Sequence, residues 1–173
     1  MLNRIYTIGH STRTLDELVA LLRDHGVTRL ADIRRYPGSR RLPHFSRESL
    51  ERSLPLHYEH FEDLGGRRSP RKDSSNGAWE NDQFRGYADH MASEAFQRAV
   101  DCLLDGDAPT AVMCAEAVPW RCHRNLLADE LVRRKIEVIH IIGPGSARPH
   151  ELNRMARIER GRVIYPPEQS QMF

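Results

Sequence analysis

The sequence predicts an α/β fold, a three-layer sandwich with a mainly parallel central sheet and helices on both faces, formed as one domain over residues 1–173. Three observations predict it. Short apolar runs alternate along the chain with segments of helical periodicity. The first strand, helix and strand fit within about 30 residues, the length of a right-handed crossover between parallel strands. With 173 residues, 39% of them apolar and 29% charged, the chain can bury one core and is not of disordered composition.

Residues 5–9 form an apolar run ending in Gly9 and read as the first strand. Leu15, Leu18, Val19, Leu21 and Leu22 recur at helical spacing, Thr14 with Glu17 makes a capping box, and Gly26 ends the helix. Residues 30–33 are a second buried strand, 37–45 a loop, 46–54 a short helix opened by Ser46 and Ser49, and 56–64 an extended segment. A long polar loop over residues 65–81 is expected to be mobile. Helices follow at 82–91 and 93–104, the latter capped by Ser93 with Ala95, Phe96, Ala99, Val100 and Leu103 facing inward. Residues 110–115 are a strand, 118–121 a tight loop, 122–135 a helix and 136–142 the last core strand. Residues 149–157 are expected to be helical, 161–165 to add an edge strand, and the tail from 166 to 173 to be loosely held.

Composition excludes several classes. No apolar run approaches the roughly 20 residues needed to span a bilayer. Residues 1–9 lack the basic-then-apolar layout of a secretion signal. Cys102, Cys114 and Cys122 are odd in number and lack framework spacing, so the expected compartment is a reducing cytoplasm. The net charge is only +2, yet the cations cluster. Four arginines fall within residues 34–41, and four cations within residues 65–72. Only Lys72 and Lys135 are lysines, so nearly all positive charge sits on guanidinium forks, which match phosphate or carboxylate oxygens in pairs. Codon bias accounts for abundant arginine but not for its clustering. Two such loops point to an anionic partner.

In open parallel sheets, ligands bind beyond the carboxyl ends of the strands. Three predicted strand ends carry polar chemistry there: Gly9-His10-Ser11, Asp32-Ile33-Arg34-Arg35, and Cys114-Ala115-Glu116. Asp32 and Glu116 are the candidate catalytic carboxylates. Either can orient water, accept a proton or stabilise a cation, and Glu116 is expected to be partly desolvated. The plainer alternatives are ion pairs with neighbouring arginines. His10 and Ser11 are candidate ligand contacts or helix caps. Arg34, Arg35, Ser39, Arg40, Arg67 and Arg68 are candidate anion contacts from the two basic loops. Arg85 and Tyr87, with Trp79, Phe45, Tyr36 and Trp120, interleave rings and guanidiniums as base stacking requires, unless the rings are core. Cys122-His123-Arg124 is placed at a helix N-terminus, which favours anions and thiolates, so Cys122 is either a reactive thiol or a gap-filler and Arg124 an anion contact. Adjacent Cys122 and His123 lack zinc-ligand spacing, so no metal is expected. There is no glycine-rich dinucleotide fingerprint and no P-loop, so no cofactor is expected either.

Tyr6-Thr7-Ile8-Gly9-His10-Ser11, Asp32-Ile33-Arg34 with Pro37-Gly38-Ser39, Leu64-Gly65-Gly66, and Met113-Cys114-Ala115-Glu116 through Cys122-His123-Arg124 together resemble the DUF488 family. The resemblance runs in order along nearly the whole chain. It associates the chain with excision of alkylated bases from DNA, a role in DNA repair. Breaking the N-glycosidic bond to a cationic base needs little acid help; it needs a carboxylate for the sugar cation or for water, arginines for the DNA backbone and rings for the flipped base. The expected function is therefore a DNA glycosylase-like hydrolase acting on alkylation damage. The alternatives are an enzyme acting on a free nucleotide or phosphorylated small molecule, a non-catalytic nucleic-acid-binding module, and a thiol-dependent enzyme using Cys122. DNA is the expected partner and a small nucleotide the second, with no membrane. Oligomeric state is not legible.

Overall fold

A computed structural model describes residues 1–38 and 40–168. In chain order the elements are β1 (Arg4–Gly9), α1 (Leu15–Asp24), β2 (Arg29–Asp32), α2 (Arg47–Ser53), β3 (His57–His60), α3 (Asp82–Met91) and α4 (Glu94–Leu104). They are followed by β4 (Thr110–Cys114), α5 (Arg124–Arg133), β5 (Glu137–Gly143), β6 (Ser146–Pro149), β7 (Arg157–Glu159) and β8 (Arg162–Ile164). The first six strands form one sheet in the order β3-β2-β4-β1-β5-β6. All neighbours pair in parallel except β5 with β6.

Strand alternation assigns the two faces. Leu30, Ala111, Met113 and Ile8 point to one side, where α1 and α2 bury Leu18, Leu22 and Leu50. Ala31, Ile33, Val112 and Val138 point to the other, where α3, α4 and α5 bury Tyr87, Phe96, Val100, Leu127 and Leu131. The sequence-predicted α/β sandwich is the observed fold. Thr14 caps α1 with the full capping box, and Ser46 and Ser93 cap α2 and α4.

Four expectations are corrected. The 65–81 loop is stapled rather than mobile. Asp89 on α3 accepts hydrogen bonds from Arg71 N, Ser74 Oγ and Asn76 Nδ2, and Ala78 N donates to Tyr165 O. Residues 149–157 are not helical: Pro149 pairs opposite Ile139, and His150 and Asn153 are committed to Asp129 of α5. The strand near residues 161–165 does not extend the main sheet; β8 pairs with β7 in a separate two-stranded ribbon. Residues 122 and 123 precede α5, because a 3-10 turn over Pro119–Arg121 ends at Cys122. The tail expected to be loose falls partly on residues 169–173, which lie outside the described residues.

A buried polar chain ties this second half together. Thr7 Oγ1 lies 2.6 Å from His140 Nδ1, and His140 Nε2 lies 2.9 Å from His150 Nδ1. His150 Nε2 then donates to Asp129 Oδ1 at 2.7 Å, while Asp129 Oδ2 accepts from Tyr165 Oη and Asn153 Nδ2. Burial first, then His150, Arg124 and Arg148, push the His140 imidazole down to about 3. The unfolded chain takes up this proton near pH 6.5, whereas the folded chain resists it until about pH 3. Acidification between those values therefore favours unfolding, and above them the group is indifferent. Urea midpoints measured from pH 7 to pH 4 should fall, and His140→Gln should flatten the decline. An equal slope in the variant would assign the loss to other groups.

Candidate functional site

A cavity of about 620 Å³ opens beyond the carboxyl ends of β1, β2 and β4. Its wall combines His10 and Ser11 after β1, Arg34, Arg35 and Tyr36 after β2, and Cys114, Ala115 and Glu116 after β4. Arg41, Gly66, Arg67, Phe84, Arg121, Cys122 and His123 complete it. The chain is bent to make room. Ser11 and Arg67, both on the wall, hold left-handed φ values of 48° and 58°, a conformation that costs an ordinary residue about 1–2 kcal/mol. A Cβ on Gly9 would meet Glu116 O at 1.6 Å and Arg124 Nη1 at 2.8 Å, so only glycine lets the backbone after β4 lie against the end of β1.

Asp32 does not face this cavity. It is fully buried, and both oxygens are occupied. Oδ1 accepts from Arg34 N and Nε at 3.1 and 2.9 Å; Oδ2 accepts from Arg34 Nη2 and Tyr58 Oη, both at 2.6 Å. Burial first, then the Asp32 charge, raise the Tyr58 phenol above its usual range, so Tyr58 stays a donor. Asp32 thus positions Arg34, whose Nη2 also donates to Phe45 O and whose Nη1 lies 3.4 Å from His10 Nε2. His10 Nδ1 donates to Ser11 O at 2.9 Å, leaving Nε2 as the acceptor for Arg34. Burial, helped by the Arg34 charge, lowers the His10 pKa against the Ser11 bond, which raises it. The ring is neutral and stacks on Phe45 at 4.5 Å.

Five arginines reach the cavity wall: Arg34, Arg35, Arg41, Arg67 and Arg121. Arg41 and Arg121 were not singled out from the sequence, although Arg41 sits in the first basic run. Arg35 Nη1 donates to Arg67 O, and both guanidiniums lie over the exposed Tyr36 ring, at 5.3 and 6.0 Å. Other expected contacts fall elsewhere. Arg40 is exposed and off the wall, and Ser39 lies outside the described residues. Arg68 turns away to Gly65 O and Glu62 O. Arg85 pairs with Asp82, one helical turn before it. Tyr87 is not a stacking platform: the phase of α3 points its ring into the core, where the hydroxyl donates to Leu64 O and the ring meets Phe96 edge-on. Phe45 is buried, and Trp79 packs on Phe84 and Tyr165.

Glu116 is exposed on the wall rather than partly desolvated. It makes no ion pair among the described residues, so its carboxylate is open to a ligand. Beneath it, Arg124 is fully buried. Its Nη1 donates to Cys114 Sγ at 3.3 Å and its Nη2 to Ala117 O at 3.0 Å, and its Nε finds no partner. Arg124 is therefore a buried support under the wall rather than a direct anion contact. His123 Nε2 donates to Ile33 O at 2.8 Å, which leaves Nδ1 as an acceptor 3.5 Å from Cys122 Sγ. Among the described residues, no group of three or more His, Cys, Asp or Glu side chains could hold a metal ion. No helix among them is long and apolar enough to cross a membrane.

Fold and site define a class: an α/β sandwich with an arginine-walled cavity at the carboxyl edge of its parallel strands. More particularly, the chain belongs to the family described as domain of unknown function DUF488, whose profile matches residues 14–131. The matched span includes Asp32, Arg34, Glu116, Cys122 and Arg124, while His10 and Ser11 precede it. Neither a comparison with curated proteins nor one with solved structures returned a match.

The two carboxylates should separate cleanly on mutation. Asp32→Asn leaves Arg34 buried beside a neutral partner and should destabilise the fold by about 3–5 kcal/mol. Glu116→Gln, at an exposed position, should change stability by no more than about 0.5 kcal/mol. Denaturant midpoints of the two variants check this, and comparable losses would contradict the placement of Glu116.

Proposed function

We propose that this protein is an enzyme acting on a free nucleotide or a phosphorylated molecule of similar size, bound in the arginine-walled cavity. One observation carries the reading: five arginines line a concavity of about 620 Å³ whose wall, among the described residues, bears a single carboxylate, Glu116. That volume suits a nucleotide-sized ligand. Forked guanidiniums suit phosphate oxygens, and pinning Arg34 through Asp32 orders one of them in advance. Tyr36, exposed between Arg35 and Arg67, offers a ring to a base or a sugar. In this reading Glu116 is the group that accepts a proton or stabilises developing positive charge.

The damaged-base hydrolase is the second reading. It keeps Glu116 as the carboxylate for the sugar cation, with DNA as partner. Asp32 and Tyr87 do not serve it, because both are sealed in hydrogen bonds away from the cavity. Convergence of the arginines on one concavity, rather than along a surface stripe, favours the free ligand. Three cysteines without disulfides fit a reducing compartment such as the cytoplasm.

Calorimetric titration with a nucleoside, its monophosphate and its diphosphate tests the reading. Affinity should rise with phosphate charge and fall with salt. Arg67→Ala or Arg121→Ala should each weaken diphosphate binding by roughly 10- to 100-fold, the cost of one charge-assisted contact. Glu116→Gln should bind as tightly and lose turnover. Equal affinity for nucleoside and nucleotide would overturn the anion site. Release of free base from alkylated duplex DNA, lost in Glu116→Gln, would favour the second reading instead.

A further inference from the structure

We propose that the ligand of the arginine-walled cavity carries a second phosphate, across its sugar from the first, and that a second concavity on the far side of Arg35 receives it. This rests on the nucleotide reading above and narrows it to nucleosides phosphorylated at two separate positions.

The second concavity holds about 500 Å³, and its wall includes Arg35, Arg68, Ser69, Arg71, Asp89 and His90. Arg35 lines the first cavity as well, so one side chain forms the partition between two lobes. The local chain builds the second lobe. Gly86 lies inside α3, where a glycine weakens a helix. A Cβ there would meet Arg68 O at 1.8 Å and Ser69 C at 2.8 Å, so glycine lets residues 68 and 69 lie against the helix. The left-handed φ of 58° at Arg67 turns the chain just before them. The second basic run of the sequence is thereby divided. Arg67 lines the first lobe, and Arg68 and Arg71 line the second.

The positive charge of this lobe is poorly met by the protein itself. Arg35 Nη1 donates to Arg67 O, and Arg68 Nε and Nη2 donate to Gly65 O and Glu62 O, so both guanidiniums touch carbonyl oxygens rather than carboxylates. Arg35 Nε is buried and finds no partner among the described residues. An unpaired buried donor costs free energy that a ligand oxygen recovers. Asp89 is on the same wall, but its oxygens are committed to Arg71 N, Ser74 Oγ and Asn76 Nδ2. The Arg71 side chain meets the exposed Asp73, a pair that water screens. Burial first, then the Arg35 charge, lowers the Arg68 pKa against the smaller opposing pull of Asp63 and Glu62. A phosphate bound between Arg35 and Arg68 relieves that repulsion and takes up the free Arg35 donor.

Two lobes discriminate between arrangements of phosphate. Phosphates joined through one bridging oxygen stay together in a single lobe. Phosphates attached on either side of a sugar are held apart by the ring and straddle Arg35.

Calorimetric titration of the full chain compares a nucleoside 5′-monophosphate, the 5′-triphosphate and the 3′,5′-bisphosphate. The triphosphate has a similar total charge to the bisphosphate but keeps it on one side of the sugar. The bisphosphate should bind about 10-fold more tightly than the triphosphate, or better. Arg68→Ala should weaken the bisphosphate by roughly 10- to 100-fold and leave the monophosphate within about twofold. Retained monophosphate binding shows that the variant is folded. Should Arg68→Ala lose both ligands, Arg71→Ala, at an exposed position, takes its place and should weaken the bisphosphate alone. A bisphosphate that binds no better than the triphosphate, or equal losses for monophosphate and bisphosphate in both variants, would overturn the second subsite and leave the nucleotide reading standing. Failure of all three ligands to bind the parent chain would overturn both. A dinucleotide with a 5′-phosphate should bind more weakly than the bisphosphate, because its second phosphate is a diester of lower charge. Tighter binding of the dinucleotide would assign the two lobes to a nucleic-acid strand and overturn the free ligand.

Discussion

The ion pair between Asp32 and Arg34 organises the edge of the sheet on which the cavity depends. Four hydrogen bonds converge on these two side chains from three other parts of the chain and from the backbone of Arg34 itself. Tyr58 reaches in from β3, Phe45 O from the turn before α2, and His10 from the end of β1. The pair is buried, and a buried ion pair earns little net stability by itself. Its value here is geometric. It fixes one guanidinium on the cavity wall, and through it the tautomer of a neutral histidine. Removing one partner would leave a buried charge unopposed and three chain segments without a common anchor.

Charge is distributed on opposite plans above and below the cavity wall. Above it, arginines outnumber carboxylates, and Arg35 and Arg67 rest on a carbonyl oxygen and an aromatic ring rather than on a carboxylate, so their charges remain unneutralised toward solvent. Below it, Arg124 is dry and contacts sulfur and a carbonyl. The first arrangement draws anions from solution. The second biases the protonation of its neighbours, because a charge acts more strongly where water cannot screen it.

Much of this was legible in the sequence for a physical reason: local rules decided it. The Thr14–Glu17 capping box, the inward stripe of α4 and the apolar runs of β1 and β4 need only their own neighbours. The edge carrying the site followed from parallel topology. What escaped depended on distant partners. Asp89 and Tyr165 fasten a loop whose composition is that of a mobile one. Asp129 claims His150 and Asn153 and so keeps residues 149–157 out of a helix. Asp32 looks from sequence like an open strand-end carboxylate, and only Tyr58, 26 residues away, closes its last oxygen. The turn before β6 was overlooked although Pro144-Gly145 signals it, with Gly145 at φ +65°.

The antiparallel strand β6 has a consequence for how this protein behaves in a crowded solution. A parallel sheet that ended at β5 would present a long apolar strand with unpaired backbone groups, the template on which sheets of separate molecules join. β6 covers that rim. It is short and exposed throughout, and it carries Arg148 and Pro149, a charge and a residue that lacks an amide proton. The rim therefore ends in a strand on which further chains cannot readily grow, and the protein resists fibrillar association at that side without enlarging its core.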